Sequence, residues 1–187
     1  IGAFLINFDN QYESNQSNDA VIARGETRHQ GIETNLRYAL DGLSPVLSGF
    51  DVHLGYAFVD ATMREDGANK GNQVPFSSRH KGTLGLGYTD GPWQLNLDSS
   101  FQSSQFADNA NTRDESANGA NGRIPGYMLV STRAGYDFGP QLSNLKLAVG
   151  VKNLFNREYY TRSFDDNNRG KYVGEPRTLY VQTSVEF

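Results

Sequence analysis

Alternation with a period of two runs through most of this chain, and it leaves little room for anything but β structure. In the final stretch, RTLYVQTSVEF, Leu179, Val181, Val185 and Phe187 fall on one side with Thr183 among them; Thr178, Tyr180, Gln182, Ser184 and Glu186 fall on the other. Successive side chains of a strand point to opposite faces, so this pattern predicts a strand. Seven further segments read the same way. Phe4 to Tyr12 sets Phe4, Ile6, Phe8 and Tyr12 on one face. Thr27 to Leu40 sets Ile32, Leu36, Tyr38 and Leu40 against Glu33, Asn35 and Arg37. Phe50 to Thr62 carries Phe50, Val52, Leu54, Tyr56 and Phe58, and Ser78 to Tyr88 carries Leu84, Leu86 and Tyr88. Trp93 to Phe106 opposes Trp93, Leu95, Leu97 and Phe101 to Gln94, Asn96, Asp98, Ser100 and Gln102. Tyr127 to Phe138 turns Val130, Ala134, Tyr136 and Phe138 outward and Arg133 inward. Leu145 to Phe155 sets Leu145, Leu147, Val149 and Val151 against Lys146, Gly150 and Lys152. No segment keeps a helical period over several turns.

The connections alternate in length. DGLSPVLSG, TDGP and FGPQLSN are short and rich in turn formers. Between them lie long stretches at about Glu13 to Ala23, Met63 to Ser77, Ala107 to Gly126 and Asn156 to Pro176. This is the rhythm of a barrel that crosses an outer membrane, with short turns on the periplasmic side and long loops outside. Strand length agrees: the segments run to about 9–13 residues, against 5–6 in soluble sheets and 9–11 needed to cross a bilayer. Tyr56, Phe58, Tyr88, Trp93, Tyr127, Tyr136 and Phe138 gather at strand ends, where aromatic girdles sit. A soluble lipocalin-like barrel would instead hide its apolar face inside. The predicted fold class is therefore all-β, a transmembrane antiparallel β-barrel. A mean hydropathy of −0.59 does not oppose this, because such strands alternate lipid-facing and lumen-facing residues.

Composition closes several other routes. The net charge of −4 disfavours a nucleic-acid partner. With no cysteine there is no disulfide or thiolate metal site, and no run of about 18 apolar residues predicts a membrane helix. The chain opens inside a strand and ends on one, so it is expected to be a piece of something longer. The free edge of the last strand then needs a partner to close the barrel, since an open edge does not survive in hydrocarbon. The aromatic Phe187 fits a C-terminal signal read by the barrel-assembly machinery.

One stretch is far more specific: GVKNLFNREYYTRSFDDNNRGKYVGEPRTLYVQTSVEF. Asn153, Leu154, Phe155, Asn156 and Tyr159 end the penultimate strand, and Gly174, Pro176 and Arg177 open the last. Asn153 and Asn156 are suited to bond the turning backbone, and Gly174 and Pro176 to fix the chain's return. These elements resemble the C-terminal end of TonB-dependent outer-membrane receptors. DDNNRGKYVGEPRTLY and FLINFDNQYESNQSND, with ARGETRHQGIET, resemble the ferric citrate receptors within that family. The resemblance implies a barrel of about 22 strands around a plug, of which residues 1–187 would be the last eight or so strands, with the plug and the first part of the barrel upstream. It also implies import of a ferric chelate, most closely ferric dicitrate, energised through TonB. Iron would travel inside its chelator, so no cofactor and no protein metal ligands are expected. A receptor for another siderophore, or a passive porin or structural barrel, is the competing reading.

Catalytic chemistry finds no footing. His29, His53 and His80 lie on three different strands without ligand spacing. Asp165, Asn167 and Gly170 begin like a calcium loop, but Arg169 and Pro176 break it at the fifth and twelfth positions. No nucleophile–base arrangement or nucleotide loop appears, so an enzyme is not expected. The long loops speak for binding instead: the last holds Arg157, Arg162, Asp165, Asp166, Asn167, Asn168, Arg169 and Lys171, and the second holds Arg64 and Lys70 with Arg79, His80 and Lys81 at its end. Arginine forks and amide donors suit a compact anionic chelate rich in carboxylate oxygens. The resemblance carries one amide contact to Asn167, with Asn168 beside it, and one to Gln16. Arg162 and Arg169 are expected to add charge steering at the mouth. Asn118, in the third long loop, is expected to stand apart from these contacts.

Overall fold

The structure is a computed structural model that describes residues 1–14, 21–142, 144–163 and 170–185, with backbone alone for 10–14, 21–24 and 141. Among the described residues twelve strands follow in chain order: β1 Gly2–Ser14, β2 Val21–Ala39, β3 Phe50–Met63, β4 His80–Asp90, β5 Trp93–Gln102, β6 Gln105–Phe106, β7 Arg123–Ile124, β8 Tyr127–Asp137, β9 Lys146–Lys152, β10 Tyr160–Ser163, β11 Lys171–Val173 and β12 Thr178–Ser184. Eight of them form one antiparallel sheet in the order β1-β2-β3-β4-β5-β8-β9-β12, and these are the eight that alternation predicts. Each pairs with the next of the eight in chain order, across short turns and long loops alike. β1 and β12 are the two ends of that order; the described residues form an arc of wall rather than a closed ring.

Pairing register decides which residues share a face. Tyr38, Val52, Leu86, Leu97, Thr132, Val151 and Leu179 lie in one row across the sheet, and Phe50, Tyr88, Leu95, Ala134, Val149 and Val181 in another. This face is aliphatic and open, with Leu179 74 % exposed, as a lipid-facing surface must be. Its lower border is aromatic: the Phe50 and Tyr88 rings lie 4.4 Å apart and those of Trp93 and Tyr136 4.7 Å. At its upper border the Tyr56 hydroxyl meets His80 Nδ1 at 2.8 Å, and the Phe101 ring lies over Gly82, where a Cβ would overlap it. His80 is thus a girdle residue of β4, not a charge of the second long loop.

Pairing orients one strand that alternation leaves open, and it overturns one girdle assignment. Phe4, Ile6 and Phe8 pair with Gly31, His29 and Thr27, which stand in the same file of β2 as Glu33, Asn35 and Arg37. They therefore point inward, and Ala3 and Leu5 take the outward positions opposite Ile32 and Gln30. The run Ala-Phe-Leu-Ile is apolar on both faces, so alternation alone cannot orient it; the pairing with β2 does. Phe4 fills the space beside Gly31, and Phe8 meets the His29 ring edge-on at 5.1 Å. Tyr127 also faces inward, in register with Gln102, and its ring packs at a tilt 4.3 Å from that of Tyr159 rather than joining a girdle.

Strand ends differ from prediction where local geometry intervenes. β5 stops at Gln102, and Gln105–Phe106 pairs separately with β7. β9 stops at Lys152 because Asn153 takes a left-handed φ of +47° that a strand cannot continue through. β2, by contrast, runs for 19 residues, well beyond the 9–11 that span a bilayer. With β1 it carries the wall above the membrane.

Candidate functional site: the polar wall and its clamped mouth

The inward face begins with charge pairs. Arg37, His53, Gly85 and Asp98 share one row across β2 to β5. Because Gly85 has no side chain, His53 Nε2 reaches across it to Asp98 Oδ1 at 3.1 Å; a Cβ at 85 would overlap both partners. Arg37 Nε and Nη2 donate to the Asp51 carboxylate at 3.0 and 3.2 Å, and Lys152 Nζ lies 3.4 Å from Glu175. Higher on this face Glu33, Asn35, Lys81, Thr83, Gln102 and Tyr127 help to line a trough of about 470 Å3. A wall of this kind suits a hydrophilic passage.

Above it the second, third and fourth long loops are joined to one another. Asn72 Nδ2 donates to Asn109 O at 2.9 Å. Gln73 and Asn111 exchange two bonds, Gln73 N to Asn111 Oδ1 at 2.7 Å and Asn111 Nδ2 to Gln73 O at 2.8 Å. Asp108, buried, accepts from Thr112 N, Thr112 Oγ1 and Gly122 N at 3.0–3.1 Å and so shapes the third loop. Gln105, 3 % exposed, bridges three loops: its Oε1 accepts from Ser78 Oγ at 3.1 Å and its Nε2 donates to Thr161 O at 2.8 Å.

The fourth long loop is tied at its base and along its length. Asn153 Nδ2 donates to the carbonyls of Arg157 and Glu175 at 2.9 and 3.0 Å, while its Oδ1 accepts from Arg157 N at 2.8 Å. Asn156 Oδ1 accepts from Arg177 N at 3.0 Å. Gly174 packs under the Tyr159 ring, which leaves no space for a Cβ, and Tyr159 OH accepts from Glu175 N at 3.1 Å. The asparagine and glycine positions of the sequence motif do the work expected of them. Farther out, Ser163 Oγ donates to Ala120 O at 3.0 Å, Gly170 N donates to Asn118 O at 2.8 Å, and Lys171 Nζ meets Glu115 Oε2 at 2.6 Å.

Of the residues singled out from sequence, Arg162 lies on β10 with its guanidinium 4.8 Å from the centre of the Phe76 ring, so it joins the fourth loop to the second. Gln16, Asn167, Asn168, Arg169 and Phe187 lie outside the described residues. Asn118 is corrected: its carbonyl holds Gly170, so it is part of the fourth loop's support and not remote from it. Lys70 is bonded to Asp66, and Arg79 Nη2 lies 3.3 Å from Asp60. Gln73, Gln105, Asn111 and Glu115 drew no attention in the sequence, because each partner lies in a different loop.

Residues 1–154 match the family described as TonB dependent receptor-like, beta-barrel. Among solved structures, the ferric citrate transporter FecA in its unliganded form is 59 % identical, with a TM-score of 0.90, over 99 % of this chain and 28 % of its own. Among curated proteins, the metal-pseudopaline receptor CntO of Pseudomonas aeruginosa (strain UCBPP-PA14) is 29 % identical over 87 % of this chain and 21 % of its own length. The ferrichrome outer membrane transporter/phage receptor of Escherichia coli (strain K12) is 27 % identical over 89 % of this chain and 21 % of its own. The chain thus spans about a fifth of the curated relatives it matches. It belongs to the TonB dependent receptor-like β-barrel family and forms part of a barrel in the outer membrane of Gram-negative bacteria.

Proposed function

We propose that the complete protein is a TonB-dependent receptor that imports a ferric chelate into the periplasm, and that the chelate is ferric dicitrate. The observation that carries this reading is the 59 % identity to FecA across nearly the whole chain, loops included. The strands would repeat among receptors of many chelates; the loops would not. The complete barrel, on this reading, has a plug and further strands upstream, takes energy from TonB through an N-terminal segment, and is inserted by the barrel-assembly machinery with Phe187 as part of the signal. Iron is cargo held by citrate.

The chemistry of the mouth supports an anionic, carboxylate-rich cargo. Asn167 and Gln16 are assigned as amide contacts, with Asn168 the alternative to Asn167, because an amide donates to a carboxylate and accepts from a hydroxyl. Each such bond to an anion contributes about 1.5–3 kcal/mol when shielded from water. Arg162 and Arg169 add steering that salt weakens. The test is titration of the full-length receptor with ferric dicitrate, ferrichrome and a catecholate chelate. Preference for ferric dicitrate, weakened by Asn167→Ala and Gln16→Ala but not by Asp90→Asn at the opposite end of β4, supports the assignment. Preference for another chelate refutes it.

A further inference from the structure

The fourth long loop touches the third through Ser163, Gly170 and Lys171. On one side Ser163 Oγ is bonded to Ala120 O at 3.0 Å. On the other Gly170 N is bonded to Asn118 O at 2.8 Å and Lys171 Nζ to Glu115 Oε2 at 2.6 Å. Lys171 is only 10 % exposed, and its ammonium also lies 4.9 Å from the centre of the Tyr160 ring. It is thus held between a carboxylate and an aromatic face, shielded on the lysine side while Glu115 stays 54 % exposed. Behind this contact Gln105 ties Thr161 to Ser78, so the β10–β11 ribbon is fastened to two neighbouring loops by buried side chains.

We propose that Glu115 and Gln105 are positioning residues for ligand capture: they touch no ligand, but they hold the β10–β11 ribbon against the third loop, and with it the face that the fourth loop presents to the chelate. The consequence for ligand affinity rests on the function proposed above; the positioning itself does not. Among the described residues the two loops meet through side chains and single backbone bonds, with no ladder between β6–β7 and β10–β11. Their relative placement therefore depends on a few groups. The Glu115–Lys171 pair is the one among them whose charges can be exchanged.

The test uses the full-length receptor with nitroxide labels on Ala110→Cys in the third loop and Val173→Cys on β11, positions that are both exposed. Glu115→Lys and Lys171→Glu should each broaden the label-to-label distance and weaken ferric dicitrate binding by about threefold to tenfold, the range expected for one partly shielded charge pair. The double exchange should restore both. Gln105→Ala should broaden the distance in the same way, while the saturated transport rate of each variant that inserts stays near that of the parent. An unchanged distance in the single variants overturns the proposal. So does unchanged affinity despite a broadened distance, or a double exchange that restores neither. If the parent does not bind ferric dicitrate, the functional reading fails, and the label distances still decide the positioning.

Discussion

The two faces of the sheet are encoded in different ways. Between the aromatic borders of the outward face each residue acts for itself: Leu97, Val149 and Val181 are apolar because each meets lipid, and no partner need be specified. On the inward face and at the mouth, residues act in pairs drawn from different strands and loops, such as His53 with Asp98 across Gly85 or Gln105 with Ser78 and Thr161. A single substitution should therefore be judged by polarity on one face and by partnership on the other.

The strongest way to break this contrast is to place a charge at mid-wall. Leu97→Arg or Val149→Arg should destabilise the barrel by about 2–4 kcal/mol, the cost of a cation near the bilayer midplane. Asn96→Arg, one residue away on the inward face, should cost far less. Urea unfolding of the full-length protein in lipid vesicles measures both. Equal losses at 96 and 97 would mean that the faces are assigned wrongly.

The same contrast explains what could be read in the sequence. All eight strands of the main sheet were legible, because alternation and turn chemistry are local signals. The base of the fourth loop was legible too, since Asn153, Asn156, Gly174 and Pro176 form a recurring motif within one stretch. The facing of β1 was not, because both of its faces are apolar and only its register with β2 orients Phe4 and Leu5. Tyr127 was placed in a girdle because aromatic residues at strand ends look alike whichever way they point. The supports of the mouth were illegible for a plainer reason. Gln105 and its partners are separated by 27 and 56 residues, and no periodicity links them.

Next in size is the base of the fourth loop. Asn153 is 3 % exposed, makes three side-chain hydrogen bonds and sits at positive φ. Asn153→Ala loses the bonds and strains the backbone, for about 2–3 kcal/mol. Asn153→Gly loses the bonds alone and should cost less. Protease cleavage within 153–177 reads the loss locally. Equal rates for the two variants would show that the left-handed backbone contributes nothing.

Glycine substitutions sharpen the comparison at a smaller scale. Gly85→Ala on the inward face must displace His53 from Asp98, and should cost about 1–2 kcal/mol through overpacking and a lost charged bond. Gly82→Ala meets the Phe101 ring, on the lipid side, and the Gly55 carbonyl at 3.1 Å; the ring can turn toward lipid and the carbonyl need give only slightly. It should therefore cost clearly less in the same urea unfolding measurement. A larger loss at 82 than at 85 would reverse the rule that partnership matters more inside.

The smallest effect is expected in the second loop, where a pair is present but neither face of the wall is involved. Lys70 donates to the Asp66 carboxylate, and that bond, then the ammonium charge itself, holds the Asp66 carboxyl below its usual range. A depressed folded-state value means that the pair stabilises the loop above the carboxyl's unfolded value, near 3.8, and that this stabilisation is lost as pH falls through the lower folded value. The window is thus acidic, and stability at neutral pH is untouched by small pH changes. Both groups stand in water, where such a pair contributes little. Asp66→Asn should accordingly leave urea unfolding at pH 7 unchanged, while carboxyl titration by NMR in the parent shows the depressed value. A clear loss of stability at pH 7 would mean that this exposed pair anchors the mouth as the buried Gln105 bridge does, and the line between paired interior and independent exterior would have to be redrawn.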